Sequence, residues 1–186
     1  MIFYKYSYVH FFTGKITNWQ EIGGPNLKIK PFKIKRQQYA DLVIDQNQQR
    51  IFKNPYGANV QEIARPTEVM NAVAKTPGSI SYITFSEIKN QKNIKAQTRI
   101  LPIAEQLGFP YVSPCEDEEC KTYNKNVLTT YPKKLIGRIY VIAKDDKSEY
   151  HKKIGVAYAN MLLSDEGQKL VKEAGFVPLR VLSDSN

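Results

Sequence analysis

Histidine and cysteine are scarce in this chain, and a long apolar run is missing altogether. The two histidines, His10 and His151, are far apart in sequence. Neither stands in a recognisable setting with a nucleophile and an acid, so triad chemistry has no constellation behind it. The two cysteines, in "PCEDEECK", cannot make a structural zinc site, and no histidine pair lies near them. The acidic filler between Cys115 and Cys120 would raise a thiol pKa, which argues against a reactive thiolate. Two readings stay open: a short disulfide closing a loop in an oxidising compartment, or two free surface thiols. Gly23 and Gly24 are not followed by Gly-Lys-Ser/Thr, so no phosphate loop is present. The run "EDEE" at 116–119 could hold a hard cation, but such a run is ordinarily a solvated loop. No metal, no cofactor and no catalytic residue is expected, and an enzyme is not the reading. No apolar stretch approaches the roughly 18 residues of a membrane span. Residues 1–12, "MIFYKYSYVHFF", lack the basic start, the Leu/Ala-rich core and the cleavage site of a signal peptide. Expressed as it stands, the chain would be expected in the cytoplasm.

What is present suits one domain or two small lobes: 186 residues, 42% of them hydrophobic. The net charge of +9 is uneven. Residues 1–100 hold 15 Lys and Arg against 6 Asp and Glu, whereas residues 101–186 are balanced at 12 of each. A basic half either favours an anionic partner or is simply a solvated face. The lysines are scattered, and no helix-turn-helix, zinc-finger or RNA-binding signature accompanies them, so no nucleic-acid partner is expected.

Strands and helices alternate, which predicts an α/β class. Residues 3–12 read as the end of a helix. "LKIKPFKIK" (27–35) alternates apolar and basic and predicts a strand, with Pro31 marking an edge or bulge. Residues 39–53 can form a helix. "RPTEVMNAVAKTPGSISYITF" predicts a helix capped by Thr67, then a strand from Ser79 to Phe85. "RILPI" (99–103) predicts a further strand, and 104–134 a long connection crossing between lobes. "KLIGRIYVIAK" (134–144) predicts an apolar strand. Two helices follow, the first with Ile154, Ala157, Tyr158, Met161 and Leu162 on one face, the second capped at Ser164 and ended by Gly175. A short strand, 176–180, closes the pattern. One position invites a binding reading: a strand ending at Arg36 and meeting a helix N-terminus offers backbone donors, a positive dipole end and a guanidinium to an anion. The plainer alternative is a surface arginine.

Three stretches in order resemble the periplasmic phosphate-binding-protein family, the solute receptors of phosphate ABC transporters. "FFTGKITNWQEIGG" is similar to that family's Gly-Lys-Ile-Thr-Asn-Trp turn, and "TPGSISYITF" to its Pro-Gly-x-Ile-x-Tyr strand. "YPKKLIGRIYVIAK" with "YANMLLSDEGQKLVKEAGFVPLR" resembles the family's Tyr-Pro, the next strand and its Ser-x-Glu-Gly-Gln to Gly-Phe-Val-Pro-Leu ending. The resemblance implies a two-lobed Venus-flytrap receptor, incomplete here: second lobe over 1–103, crossover with the cysteine pair over 104–126, return elements of the first lobe over 127–182. It implies phosphate or a similar oxyanion as solute, a separate N-terminal lobe chain and an ABC transporter permease as partners, and a periplasmic or extracytoplasmic place. It puts the ligands at Arg36, Gln37, Gln38, Tyr39 and Asp41. After Arg36 the family has Ser-Gly-Thr. This chain has "QQYADL", without those hydroxyls, and the carboxylate of Asp41 repels an anion, so the family's usual grip is not expected intact. The alternative is an interaction module derived from a receptor, contacting a protein or nucleic acid through the basic half. The helix face at Ile154–Leu162 would lack part of its partner in such an incomplete fold.

Overall fold

The computed structural model describes residues 5–35, 56–89, 97–106, 108–118, 120–137, 140–142, 144 and 147–179. The chain divides into two compact units, Met1–Gly137 and Arg138–Asn186.

In the first unit, helix α1 (Lys5–Phe12) ends where the Thr13 hydroxyl turns back to donate to the Val9 carbonyl at 2.9 Å. A 3-10 turn, Trp19–Ile22, follows. Its start is fixed by a capping box: the Asn18 side chain accepts from the Gln20 N–H, and Glu21 accepts from the N–H groups of Thr17 and Asn18. These bonds, Thr17's first, hold the Glu21 carboxyl below its ordinary range. The chain then enters strand β1 (Lys30–Ile34), and further on β2 (Gln61–Ile63), helix α2 (Pro66–Lys75), strand β3 (Ser79–Ser81) and helix α3 (Phe85–Lys89). The three strands form a parallel sheet in the order β2-β1-β3.

Register assigns the faces. Pro31 lies opposite Ile80 and Lys33 opposite Glu62, so these four side chains share one face. That face carries the core: Phe11, Phe12, Trp19, Ile29 and Ile80 are buried together. The other face meets α2, where the Ser79 hydroxyl donates to the Val73 and Thr76 carbonyls at 2.9 and 2.6 Å. The Trp19 indole N–H crosses to the Gly78 carbonyl at 2.9 Å and ties the first turn to the start of β3. Gly78 has φ +76°, and a Cβ there would collide with the Lys28 carbonyl oxygen.

The described residues of 103–126 form two short hairpins. Ile103 pairs with Val112, and Cys115 with Tyr123. Cys115 and Cys120 form a disulfide with Cα atoms 5.0 Å apart. Helix α4 (Val127–Thr130) and a 3-10 turn, Lys133–Leu135, complete the unit.

The second unit holds α5 (Glu149–Leu163) and α6 (Asp165–Glu173), packed on each other. Ser148 caps α5, and the Ser164 hydroxyl accepts from the Gly167 N–H at 3.1 Å to cap α6. Gly167 lies where the helices meet, and a Cβ there would collide with the Met161 carbonyl. Among the described residues no helix is long and apolar enough to cross a membrane.

Several expected elements differ. The first cap of α2 is Arg65, with no side-chain hydrogen bond, because Pro66 occupies the first helical position and starts the helix one residue before Thr67. The strand at 79–85 stops at Ser81, because Thr84 becomes the start of α3. Residues 99–103 make only the single bridge at Ile103; Pro102 has no N–H for a ladder. In 134–144, Leu135 N–H turns back to the Pro132 carbonyl, and 140–142 pair with no strand among the described residues. At 176–179 the Leu179 N–H goes to the Gln168 side chain instead of a strand. The helix expected at 39–53 lies outside the described residues.

Candidate functional site

The parallel sheet of order 2-1-3 sets the carboxyl ends of β1 and β3 side by side, and open α/β sheets bind ligands outside the carboxyl ends of their strands. The carboxyl end of β1 runs through Ile34 to Lys35, whose N–H donates to the Ile63 carbonyl at 2.6 Å. The chain then continues into the expected ligand set. Arg36, Gln37, Gln38, Tyr39 and Asp41 all lie outside the described residues. What the structure describes is the sheet edge that precedes them in the chain.

At the carboxyl end of β3 the chain leaves through Tyr82 and Ile83 to Thr84. There the Glu87 carboxylate accepts from the Thr84 N–H at 2.9 Å and from its hydroxyl at 2.7 Å, which makes a second capping box. The Ser86 hydroxyl lies 3.0 Å from that of Thr84. The donors at this corner are thus engaged by a negative group of the chain itself. On the β2 side the chain enters α2 at Arg65–Pro66. This helix start has no side-chain cap, and the Arg65 guanidinium, 3.9 Å from Glu68, is largely exposed. Its positive dipole end and a cation therefore flank the same sheet edge. Sequence reading passed over Arg65. The signal was available in "EIARPTE", a strand end followed by Pro at a helix start.

The face of the sheet below this edge carries a charged cluster. Lys33 Nζ is 2.7 Å from a Glu62 carboxylate oxygen and 4.1 Å from the centre of the Tyr56 ring. The Tyr56 and Tyr82 hydroxyls are 3.0 Å apart. The hydrogen bond from Lys33 holds the Glu62 carboxyl below its usual range, with the Lys33 charge adding to it. Lys33 is therefore already compensated and aromatic-packed. Among the described residues, the exposed cations at the carboxyl edge are Lys35 and, at the start of α2, Arg65, while Lys28 and Lys30 are exposed at the amino end of β1.

Among the described residues no group of three or more His, Cys, Asp or Glu is placed to hold a metal ion. The "EDEE" loop has an internal use. Asp117 accepts from the Lys121 N–H and from the N–H and hydroxyl of Thr122, which lowers its pKa to about 2.

No family model matches the sequence, and neither does any curated protein. Solved structures do match. PstS from Borrelia burgdorferi superposes with a TM-score of 0.62 at 22% identity over 97% of this chain and 65% of its own. A phosphate ABC transporter substrate-binding protein with bound phosphate from Clostridium perfringens superposes at 0.58, with 19% identity over 96% of this chain and 67% of its own. The chain has a phosphate-receptor fold. An ABC-type phosphate transport receptor from Vibrio cholerae matches at 0.59 with 12% identity, over 93% of this chain and 62% of its own. This chain therefore spans about two thirds of the length of these receptors, a partial version of their fold. Within that fold, the stretches that resemble the receptor family fill structural posts. "FFTGKITNW" supplies the buried Phe11, Phe12 and Trp19, and "PGSIS" the close approach at Gly78 and the strand β3.

Proposed function

We propose that this chain is part of the solute receptor of a phosphate-type ABC transporter and takes up an inorganic oxyanion at the carboxyl edge of its parallel sheet. The observation that carries the reading is the match of nearly the whole chain to receptors of phosphate transport, one of them holding phosphate. The adjoining carboxyl ends of β1 and β3 support it, because open α/β sheets bind ligands outside the carboxyl ends of their strands. In this reading Arg36 supplies the charged grip, with Gln37, Gln38 and Tyr39 as neutral donors beside it. The uncapped start of α2 adds its dipole from the adjacent edge. Asp41 favours a protonated oxyanion able to donate to a carboxylate. The portion of the fold that the solved receptors have and this chain does not span supplies the opposite wall of the cleft, as a separate N-terminal lobe chain. The assembled receptor delivers its solute to a transporter permease. A place outside the cytoplasm fits the Cys115–Cys120 disulfide, since such bonds persist in oxidising compartments.

Titration calorimetry of the purified chain with inorganic phosphate and with sulfate tests the reading. Saturable heat with either anion that disappears in Arg36→Ala is the expected result. A folded protein silent to both anions, alone and with the first-lobe portion added, sinks it.

A further inference from the structure

The second hairpin, described over residues 113–118 and 120–124, is built more firmly than a connection requires. The sulfur-bearing residues are both buried, Cys115 at 6% exposure and Cys120 at 1%. Next to the disulfide, Glu116 N–H donates to the Thr122 carbonyl at 3.0 Å and Asn124 N–H to the Pro114 carbonyl at 2.9 Å. The Asn124 side chain adds a bond to the Ser113 carbonyl at 3.0 Å. Asp117 ties the return strand from the other end through Lys121 and Thr122. The residue bridged to Cys115 is Tyr123.

The Tyr123 ring reaches Phe85, edge to face, with centroids 6.5 Å apart and planes at 86°. Phe85 is the first residue of α3 and stands directly after Thr84. An unbroken series of contacts thus runs from the disulfide through Tyr123 and Phe85 to the Thr84–Glu87 cap, beyond the carboxyl end of β3. Edge-to-face pairs of this kind fix orientation as well as burying area.

We propose that Tyr123 is a positioning residue for the solute-binding edge, and that the Cys115–Cys120 disulfide holds it in place, so that reduction of this bond loosens the carboxyl end of β3. The part about solute rests on the receptor reading above; the mechanical coupling does not. Reduction by a dithiol transfers two electrons and two protons to the paired sulfurs, giving two thiols, while the dithiol closes to its own disulfide. Without the cross-link the closed loop regains conformational freedom, and the bridge at Cys115 that presents Tyr123 loses its anchor.

Hydrogen exchange of the full chain, read by mass spectrometry, tests this. Four forms are compared with the oxidised protein: the dithiol-reduced chain, the double variant Cys115→Ser with Cys120→Ser, Tyr123→Ala and Tyr123→Phe. The expected result is exchange about tenfold faster over residues 80–89 in the first three, with residues 27–35 and 149–163 unchanged. Tyr123→Phe keeps the ring and should exchange like the parent. Faster exchange confined to 113–124 overturns the coupling. Acceleration through β1 as well shows a general stability staple and also overturns it. The same samples titrated with inorganic phosphate keep the two readings apart. Coupled exchange without any phosphate binding leaves the inference standing and the receptor reading fallen. Phosphate binding with exchange over 80–89 indifferent to reduction does the reverse.

Discussion

Gln168 is 3% exposed and is the buried polar side chain among the described residues of the second unit. Its amide spends both ends on the backbone: Nε2 donates to the Leu162 carbonyl and Oε1 accepts from the Leu179 N–H, each at 2.7 Å. These two bonds tie the end of α5 to the stretch after α6, which is why Gly-Gln follows the cap in "SDEGQ". Gln168→Leu keeps the volume and strands both backbone groups. It should cost about 2 kcal/mol in denaturant unfolding, and a change within error would show that water replaces the amide. Asp117 makes a pH prediction of definite sign. Its three donors favour the carboxylate and bring the folded pKa to about 2. A depressed carboxyl contributes stability above its unfolded pKa, about 3.9, and that contribution is lost as pH falls through the folded value. A carbon-detected titration should place the Asp117 midpoint near 2. A midpoint at the ordinary aspartate value would mean the hairpin tip is open in solution.

At the scale of elements, caps and close approaches decide where structure starts and stops. Gly78 enters β3 at φ +76° with the Lys28 carbonyl against the face where a Cβ would stand, and the Leu27 Cγ 2.9 Å from it. Gly78→Ala should therefore cost about 2 kcal/mol or more, since left-handed strain adds to a backbone collision. Urea unfolding measures it, and a loss below about 0.5 kcal/mol, the size of an ordinary surface change, would show that the turn relaxes freely. The same logic explains what the sequence disclosed. The last two helices were readable because Ser148 and Ser164 cap them, acids fill their first turns and Gly175 ends the second. Strands were less readable, because a strand is defined by its partner. "LKIKPFKIK" found neighbours on both sides, whereas "RILPI" and "KLIGRIYVIAK" share its apolar look and found no ladder among the described residues. Thr84 shows the competing influence: a Glu three residues on drew the end of "SISYITF" into a capped helix. Of the site, the sheet edge was legible through strand direction. Arg65 was passed over, although the Pro after it in "EIARPTE" marks the helix start that it precedes.

At the scale of the whole molecule, the second unit presents an apolar surface that its own two helices do not cover. Helix α5 has no buried residue; Ile154, Tyr158 and Met161, one stripe of it, are 50%, 52% and 42% exposed, and Ile142 is 92% exposed. A shallow depression of about 250 Å³ is lined by Val141, Ile142 and Lys144 and by the His151, Ile154 and Tyr158 side of the helix. An exposed stripe of this kind ordinarily marks a contact surface, and the solved receptors are longer than this chain by the part it does not span. If that part of the receptor fold is what covers the stripe, the chain alone should bind a dye of exposed apolar surface, such as ANS, at neutral pH. Ile154→Ser with Tyr158→Ser should cut that fluorescence severalfold while the helix signal in far-ultraviolet circular dichroism holds. Adding the first-lobe portion of the receptor fold should quench the dye in the parent and not in the double variant. A parent chain that is dark to the dye and cooperatively folded by itself would mean the stripe is already covered, and the proposal of a separate first lobe would lose its surface.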